Sequence, residues 1–201
     1  MEEAFEGQGR HTARNVLMAC VALLLGPAAM AWIVRLVAFA AHCAPGPAPC
    51  RGMTLGGGLH DALALTWLIN SDTLLLLAIA AIATGALLAM RRPLTAALAF
   101  LLLPLGALVV PMAVVFVSLY PGCAVSETGI GSCTLWGAEM GMSFHTAAQV
   151  QWQIYGFVPY SFAIALMLGV MGLFLMRPRP VNGHATADPH RVPHRRFDED
   201  Q

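Results

Sequence analysis

Charged residues are scarce in this chain. Only 11% of its 201 residues are charged, whereas an ordinary soluble domain has about 25%. Lysine is absent altogether, so the eleven basic residues are all arginine, and eleven acidic residues balance them. A formal net charge of zero provides no attraction for a polyanion, and we expect no nucleic-acid partner.

Catalytic signatures are missing as well. The sequence contains no phosphate-binding loop, no serine-elbow motif and no Cys-x-x-Cys pair. The long apolar segments have no carboxylate or histidine near their centres. This disfavours ion-coupled transport and a haem held by two histidines between helices. We therefore assign no catalytic residue from the sequence.

Apolar residues, in contrast, make up 58% of the chain and form four long runs. A helix needs about 20 apolar residues to cross a bilayer, and an open sheet cannot cross because its edge groups would lack partners. We therefore predict an all-α membrane protein. Its four transmembrane helices are expected at roughly 16–41, 73–90, 95–120 and 157–176.

Arginine placement predicts the orientation of these helices. Arginines concentrate on the cytoplasmic side of bacterial inner-membrane proteins, which places both termini in the cytoplasm and two long loops outside. We expect a cytoplasmic segment at 1–15, a transmembrane domain at 16–177 and a disordered cytoplasmic tail at 178–201, which is too polar to form a core. The outer loops contain only Arg51, and the arginines on the inner side are Arg10, Arg14, Arg91, Arg92, Arg177, Arg179, Arg191, Arg195 and Arg196.

Four cysteines lie in the two outer loops. Cys43 and Cys50 belong to the first loop, and Cys123 and Cys133 belong to the second. An even number of cysteines in an oxidising compartment indicates disulfides. Of the three possible pairings we favour 43 with 50 and 123 with 133, because each closes a local loop rich in turn residues.

Two stretches of the sequence resemble each other. "LHDALALTW" at 59–67 and "FHTAAQVQW" at 144–152 each follow a cysteine pair and precede an apolar run. This shared order predicts a duplication, with one repeat at about 16–92 and the second at about 93–177. Each repeat would comprise a helix, a disulfide loop, a short surface helix and a second helix. The repeats would be parallel, related by an axis along the membrane normal.

The repeated stretches are expected to form short helices on the outer membrane surface. Trp67 and Trp152 would anchor them in the interfacial belt, where tryptophan is enriched. After the first of them, the sequence "NSDT" at 70–73 reads as a helix break. We expect Ser71 or Asp72 to cap the next transmembrane helix.

Arg35 lies near the outer end of the first apolar run. An arginine within a membrane segment is a functional candidate, and Asp72 is its natural ion-pair partner. The alternative is that Arg35 extends its side chain outward to water.

Met140, Met142 and His145 form a Met-x-Met-x-x-His pattern. Thioethers and imidazole suit Cu(I), and His60, His42 and Met53 from the first loop are further candidate ligands. The alternative, which we favour, is that the methionines pack against the membrane surface and the histidines face headgroups or backbone.

The layout of four helices and two cysteine-bearing outer loops resembles, in topology only, the bacterial quinone-linked enzymes that generate disulfides. That family uses a Cys-x-x-Cys pair directly after its first helix, whereas the first pair here is Cys43-x6-Cys50. The resemblance implies a thiol–disulfide oxidoreductase that works with quinone. We favour structural disulfides because the spacing differs.

The function expected from these features is that of a non-catalytic subunit, or an accessory or assembly factor, of a larger membrane complex with a periplasmic surface. Small residues in "AIAAIATGALLA" and "GVMG" permit close helix packing, within the chain or with other membrane subunits or copies. The alternatives are the quinone-linked oxidoreductase and a copper-binding membrane protein. Apart from copper or quinone in these alternatives, no cofactor is expected.

Overall fold

The computed structural model describes the backbone of residues 2–123 and 131–176, and the side chains of 8–123 and 131–174. Arg177 and the predicted tail 178–201 lie outside the described residues. The described chain forms five α-helices and one hairpin. In chain order these are α1 (Glu2–Ala40), α2 (Leu55–Asn70), α3 (Thr73–Ala89), α4 (Pro93–Ser118), β1 (Thr134–Leu135), β2 (Ala138–Glu139) and α5 (Gly141–Met176).

Helices α1, α4 and α5 are each long and apolar enough to cross a membrane. A fourth crossing exists if α2 and α3 count as one span, since together they pass the same test but bend by 81° between them. The 17 residues of α3 alone give about 25 Å of helix, somewhat less than the roughly 30 Å of hydrocarbon. The predicted all-α membrane class is confirmed, with three or four crossings.

The predicted spans agree with the helices to within a few residues at most of their ends. Two helices begin well before their predicted starts: α5 begins at Gly141 instead of 157, and α1 extends back to Glu2 through the predicted N-terminal segment 1–15. Residues 2–15 contain no proline. Extending an existing helix requires little free energy because its first turn, the unfavourable nucleation step, is already formed. The polar segment therefore continues the helix.

Helices α1 and α4 run parallel and are bonded to each other. The indole N–H of Trp32 donates to the carbonyl of Val110 at 3.1 Å. Nearer the C-terminal ends of both helices, Nη2 of Arg35 donates to the carbonyl of Val117 at 3.3 Å. The loops that follow α1 and α4 therefore lie at the same end of the bundle, which we call the loop end.

Helix α5 runs antiparallel to α4. Its "GVMG" stretch packs on the start of α4, where a Cβ at Gly169 would lie 3.8 Å from Ala97 and one at Gly172 would lie only 2.6 Å from Pro93. The small residues of this stretch therefore serve packing within the chain. The turn at 90–92 lies at the same end, opposite the loops, which we call the arginine end.

The bend between α2 and α3 arises from polar residues. Oδ1 of Asp72 accepts N–H bonds from Leu74 at 2.9 Å and Leu75 at 3.2 Å. Asp72 is therefore the N-cap of α3, one of the two caps predicted. These bonds satisfy donors that have no partner inside the helix. The predicted surface stretch 59–67 falls in α2, which is a separate helix.

The stretch 144–152 differs from its predicted counterpart. It forms early turns of the continuous helix α5 rather than a separate short helix. Counting from the matched tryptophans, Gly156 and Phe157 stand where the first stretch has Ser71 and Asp72. Neither has a side-chain oxygen that could cap a new helix, so the helix continues. The duplication into two equivalent hairpins stays a prediction.

Asn70 ties the end of α2 to the middle of α4. It is fully buried, and its Nδ2 donates to the carbonyl of Ala107 at 2.6 Å. Four residues further on, Pro111 has no N–H to offer this carbonyl. Asn70 therefore supplies the hydrogen bond that Pro111 removes from α4.

Candidate functional site

The two loops fold together at the loop end. We call this unit the cap, and its described residues are 41–54, 119–123 and 131–140. Each loop is closed by its own disulfide, Cys43–Cys50 in the first and Cys123–Cys133 in the second. The predicted local pairing is confirmed.

Trp136 joins the two loops. It lies at the tip of the β1–β2 hairpin and is only 2% exposed. Its indole N–H donates to the carbonyl of Ala44 at 3.1 Å, and its backbone N–H donates to Gly46 at 2.8 Å. The amide of Gly137 donates to the carbonyl of Pro47 at 3.2 Å. The hairpin tip is thus bonded along the first loop, which makes the cap a single folded unit.

The hairpin turn holds Trp136 in an unusual backbone conformation. Its φ is +47°, and that of Gly137 is +82°. Two positive φ values are typical of the tight turns that match the twist of a hairpin, but for a bulky residue this region is costly. Such strain persists only where the surroundings fix it, and here the bonds to the first loop do so.

Arg35 lies beneath the cap and does not form the predicted ion pair with Asp72. Its guanidinium carbon lies 5.7 Å from the centroid of the Trp136 ring, within range of a cation–π interaction. Besides its bond to Val117, it leaves Nε buried without a partner among the described residues. Asp72 is instead the N-cap residue of α3, so the two residues of the predicted ion pair have separate partners.

The carboxylate of Glu139 fastens the hairpin to the start of α5. Its Oε1 accepts N–H bonds from Cys133 and Gly141, both at 3.1 Å, and Oε2 lies 3.4 Å from Oγ1 of Thr134. The bond from Cys133, followed by the bond from Gly141, lowers the pKa of Glu139 because both stabilise the ionised form. The negative charge also lies favourably at a helix N-terminus.

The start of α2 packs directly against the hairpin. A Cβ at Gly56 would collide with the carbonyl oxygen of Leu135, and it would lie 2.8 Å from that of Trp136. Only a residue without a side chain permits this approach. The neighbouring Gly57 faces open space. Gly56 is therefore the point at which α2 supports the cap.

The candidate copper ligands Met140, just before α5, and Met142 and His145, in its first turns, do not present one common surface. Met140 is fully buried in the apolar core, whereas Met142 is 59% exposed. Nε2 of His145 accepts a hydrogen bond from the Gln149 amide at 2.9 Å. The exposed thioether and the buried thioether therefore cannot act together without unpacking the core.

The remaining candidate ligands lie on α2 and in the first loop, and all of them are exposed. His60 is exposed, and its Nδ1 lies 3.2 Å from Oδ1 of Asp61. His42 and Met53 are also exposed. Among the residues that the structure describes, no three His, Cys, Asp or Glu side chains form a group that could hold a metal.

The burial of the sulfur atoms bears on the redox alternative. Cys50 is 3% exposed and Cys133 is fully buried, while Cys43 and Cys123 are half-buried. Thiol–disulfide exchange requires a thiolate to reach a sulfur of the disulfide. The arrangement favours disulfides that brace the cap over disulfides that react.

The two predicted interfacial anchors differ in exposure. Trp67 is only 6% exposed, because it lies on the same face of α2 as Leu59 and Leu63, which packs on the bundle. Trp152 is 63% exposed and contacts Tyr155, with ring centroids 6.2 Å apart. An interfacial position suits Trp152 but not Trp67.

The sequence prediction missed the residues that build the cap. Trp136 and Glu139 stood within "CTLWGAE", where a tryptophan–glycine pair between two short polar–apolar stretches is a hairpin signal. Gly56 stood within the run "GGG", which offers no means of telling one glycine from the next.

The chain matches no family model, and no curated protein or solved structure is significantly similar to it.

Proposed function

We propose that this protein is a non-catalytic subunit or accessory factor of a larger membrane complex, and that the cap is the surface it presents to its partners. The cap is the observation that supports the proposal. Helices can be joined by short turns, as α3 and α4 are at 90–92. Here the two loops are each closed by a disulfide and are bonded to each other through Trp136, so they form a defined surface. Loops that only joined helices would not need such a surface.

The proposed setting is a bacterial inner membrane, with both termini in the cytoplasm and the cap in the periplasm. Two features support it. Arg10, Arg14, Arg91 and Arg92 lie at the arginine end, in agreement with the preference of arginine for the cytoplasmic side. Both disulfides lie at the other end, in agreement with an oxidising compartment.

Exposed aromatic side chains on α5 extend the proposed surface beyond the cap. Trp152 and Tyr155 are 63% and 73% exposed and contact each other, and Tyr160 is 74% exposed. Aromatic residues are enriched in protein–protein interfaces and at the membrane–water boundary. In this proposal the cap and these aromatic side chains contact the same neighbouring subunit, or a second copy of this chain.

Site-specific photo-crosslinking tests the proposal. Met142 and Leu166 are 59% and 58% exposed on the same helix, but Leu166 lies 24 residues further along, about 36 Å from Met142. Met142 lies two residues beyond the end of the cap, so a photoreactive amino acid there is expected to give a discrete protein adduct, whereas at Leu166 it should react with lipid.

The adduct at Met142 should disappear when Trp136→Ala separates the loops. If Met142 gives no protein adduct, or if the adduct is unchanged by Trp136→Ala, the cap is not the partner surface.

A further inference from the structure

A groove lies between α1 and α3 at the arginine end of the bundle. Its volume is about 530 Å³, and its lining is mostly apolar or small, including Val16, Ile82, Gly85 and Ala89. From Ile82 to Ala89 the groove follows about 10 Å of helix. This length is short for a partner transmembrane helix, which needs about 20 residues, but it suits part of a lipid acyl chain.

A basic cleft lies at the same end of α1. Its volume is about 360 Å³, and it is lined by Arg10, His11, Arg14 and Met90. Gln8 to Val16 of α1 line the groove, so the arginines of the cleft belong to the same helical turns. Arg10 and Arg14 are one turn apart and both exposed.

The charge at this end is of one sign among the side chains that the structure describes. Residues 8–16, 82–97 and 165–174 include four arginines and no carboxylate. Guanidinium groups bind phosphate oxygens through paired hydrogen bonds. Basic pockets between membrane helices on the cytoplasmic side are suited to anionic lipid headgroups.

We infer that this end binds one anionic phospholipid, with its phosphate on Arg10 and Arg14 and part of an acyl chain in the groove between α1 and α3. The inference depends on the membrane class of the protein and not on the proposed complex. A neutral lipid could fill the groove but would lack the net negative charge that the arginines attract.

Native mass spectrometry of the full chain in a neutral detergent tests the inference. The probes are phosphatidylglycerol and phosphatidylcholine with identical acyl chains. Arg10→Gln/Arg14→Gln removes the basic cleft, and Arg51→Gln, at the loop end, is its control. Phosphatidylglycerol should bind the wild type more tightly than phosphatidylcholine. The double variant should lose roughly 30-fold in its affinity for phosphatidylglycerol, on the basis of two arginines near an anionic group.

The groove is tested by a separate substitution. Gly85 lines the groove, and a Cβ there meets no atom within 4 Å, so Gly85→Leu places its side chain in the groove. Gly156 on α5 is equally open, and Gly156→Leu is the matched control. Gly85→Leu should weaken the binding of both lipids, while Gly156→Leu should leave it unchanged.

Three outcomes overturn the inference. The first is equal affinity of the wild type for the two lipids. The second is an equal loss in the double variant and in Arg51→Gln. The third is wild-type lipid binding by Gly85→Leu.

Discussion

Replacing Gly56 with alanine should separate the hairpin from α2. The added Cβ would lie 2.8 Å from the Trp136 carbonyl oxygen, 2.9 Å from Cβ of Ala138, and closer still to the Leu135 carbonyl oxygen. Two of these atoms belong to the backbone and cannot rotate away, so the hairpin must shift. Overpacking of this kind costs about 1–3 kcal/mol.

Gly57→Ala is the matched control, because a Cβ there meets nothing within 4 Å. It should stabilise α2 by up to about 1 kcal/mol, the difference in helix propensity between glycine and alanine. The two neighbouring substitutions should therefore have opposite signs.

Amide hydrogen exchange is the direct assay, since the N–H groups of Trp136 and Gly137 donate to the first loop. A loss of 1–3 kcal/mol corresponds to exchange roughly 5- to 150-fold faster at both amides in Gly56→Ala. Gly57→Ala should not accelerate exchange at either amide. If the two variants exchange alike, the hairpin does not depend on the close approach at Gly56.

Three further predictions follow from the bonds described above. Asn70→Ala should lower the free energy of unfolding by about 1–2 kcal/mol. In a Pro111→Ala background, where residue 111 offers an N–H to the Ala107 carbonyl, the same substitution should cost clearly less. Equal losses in the wild-type and Pro111→Ala backgrounds would argue against this role of Asn70. Folding lowers the pKa of Glu139, so its ionised carboxylate stabilises the folded state. This stabilisation is complete above the pKa of the unfolded chain, about 4.3, and is lost as the pH falls through the lower pKa of the folded chain. Accordingly, a tryptophan fluorescence titration from pH 7 to 3 should show the cap loosening in acid, and Glu139→Gln should abolish that pH dependence; an unchanged titration would contradict it. Both disulfides should have reduction potentials below about −300 mV, as braces do, and potentials near that of the glutathione pool would instead favour the quinone-linked oxidoreductase.

The local features of the fold could be predicted from the sequence because their signals are local. Runs of apolar residues predict the long helices, and the N-cap residue of α3, Asp72, directly precedes the first residue of that helix. The paired cysteines are only 7 and 10 positions apart in the sequence, so loop closure favours these pairings over distant ones.

The arrangement of the cap could not be predicted, because its contacts join distant parts of the chain. Trp136 donates to Ala44, which is 92 residues away in sequence. Arg35 had an acidic residue available at Asp72, yet tertiary packing places it against the Trp136 ring and the end of α4. Such partners are determined by how the helices cross, and a single sequence contains no periodic signal for that.

The native mass of the protein, extracted from its own membrane in a mild detergent, tests the central proposal most directly. We predict a mass above the 21.3 kDa of the single chain, increased by the mass of a defined partner or of whole copies of the chain. Trp136→Ala should shift the protein to the free monomer. A lone monomer with both disulfides intact would contradict the proposal that the cap serves a larger complex.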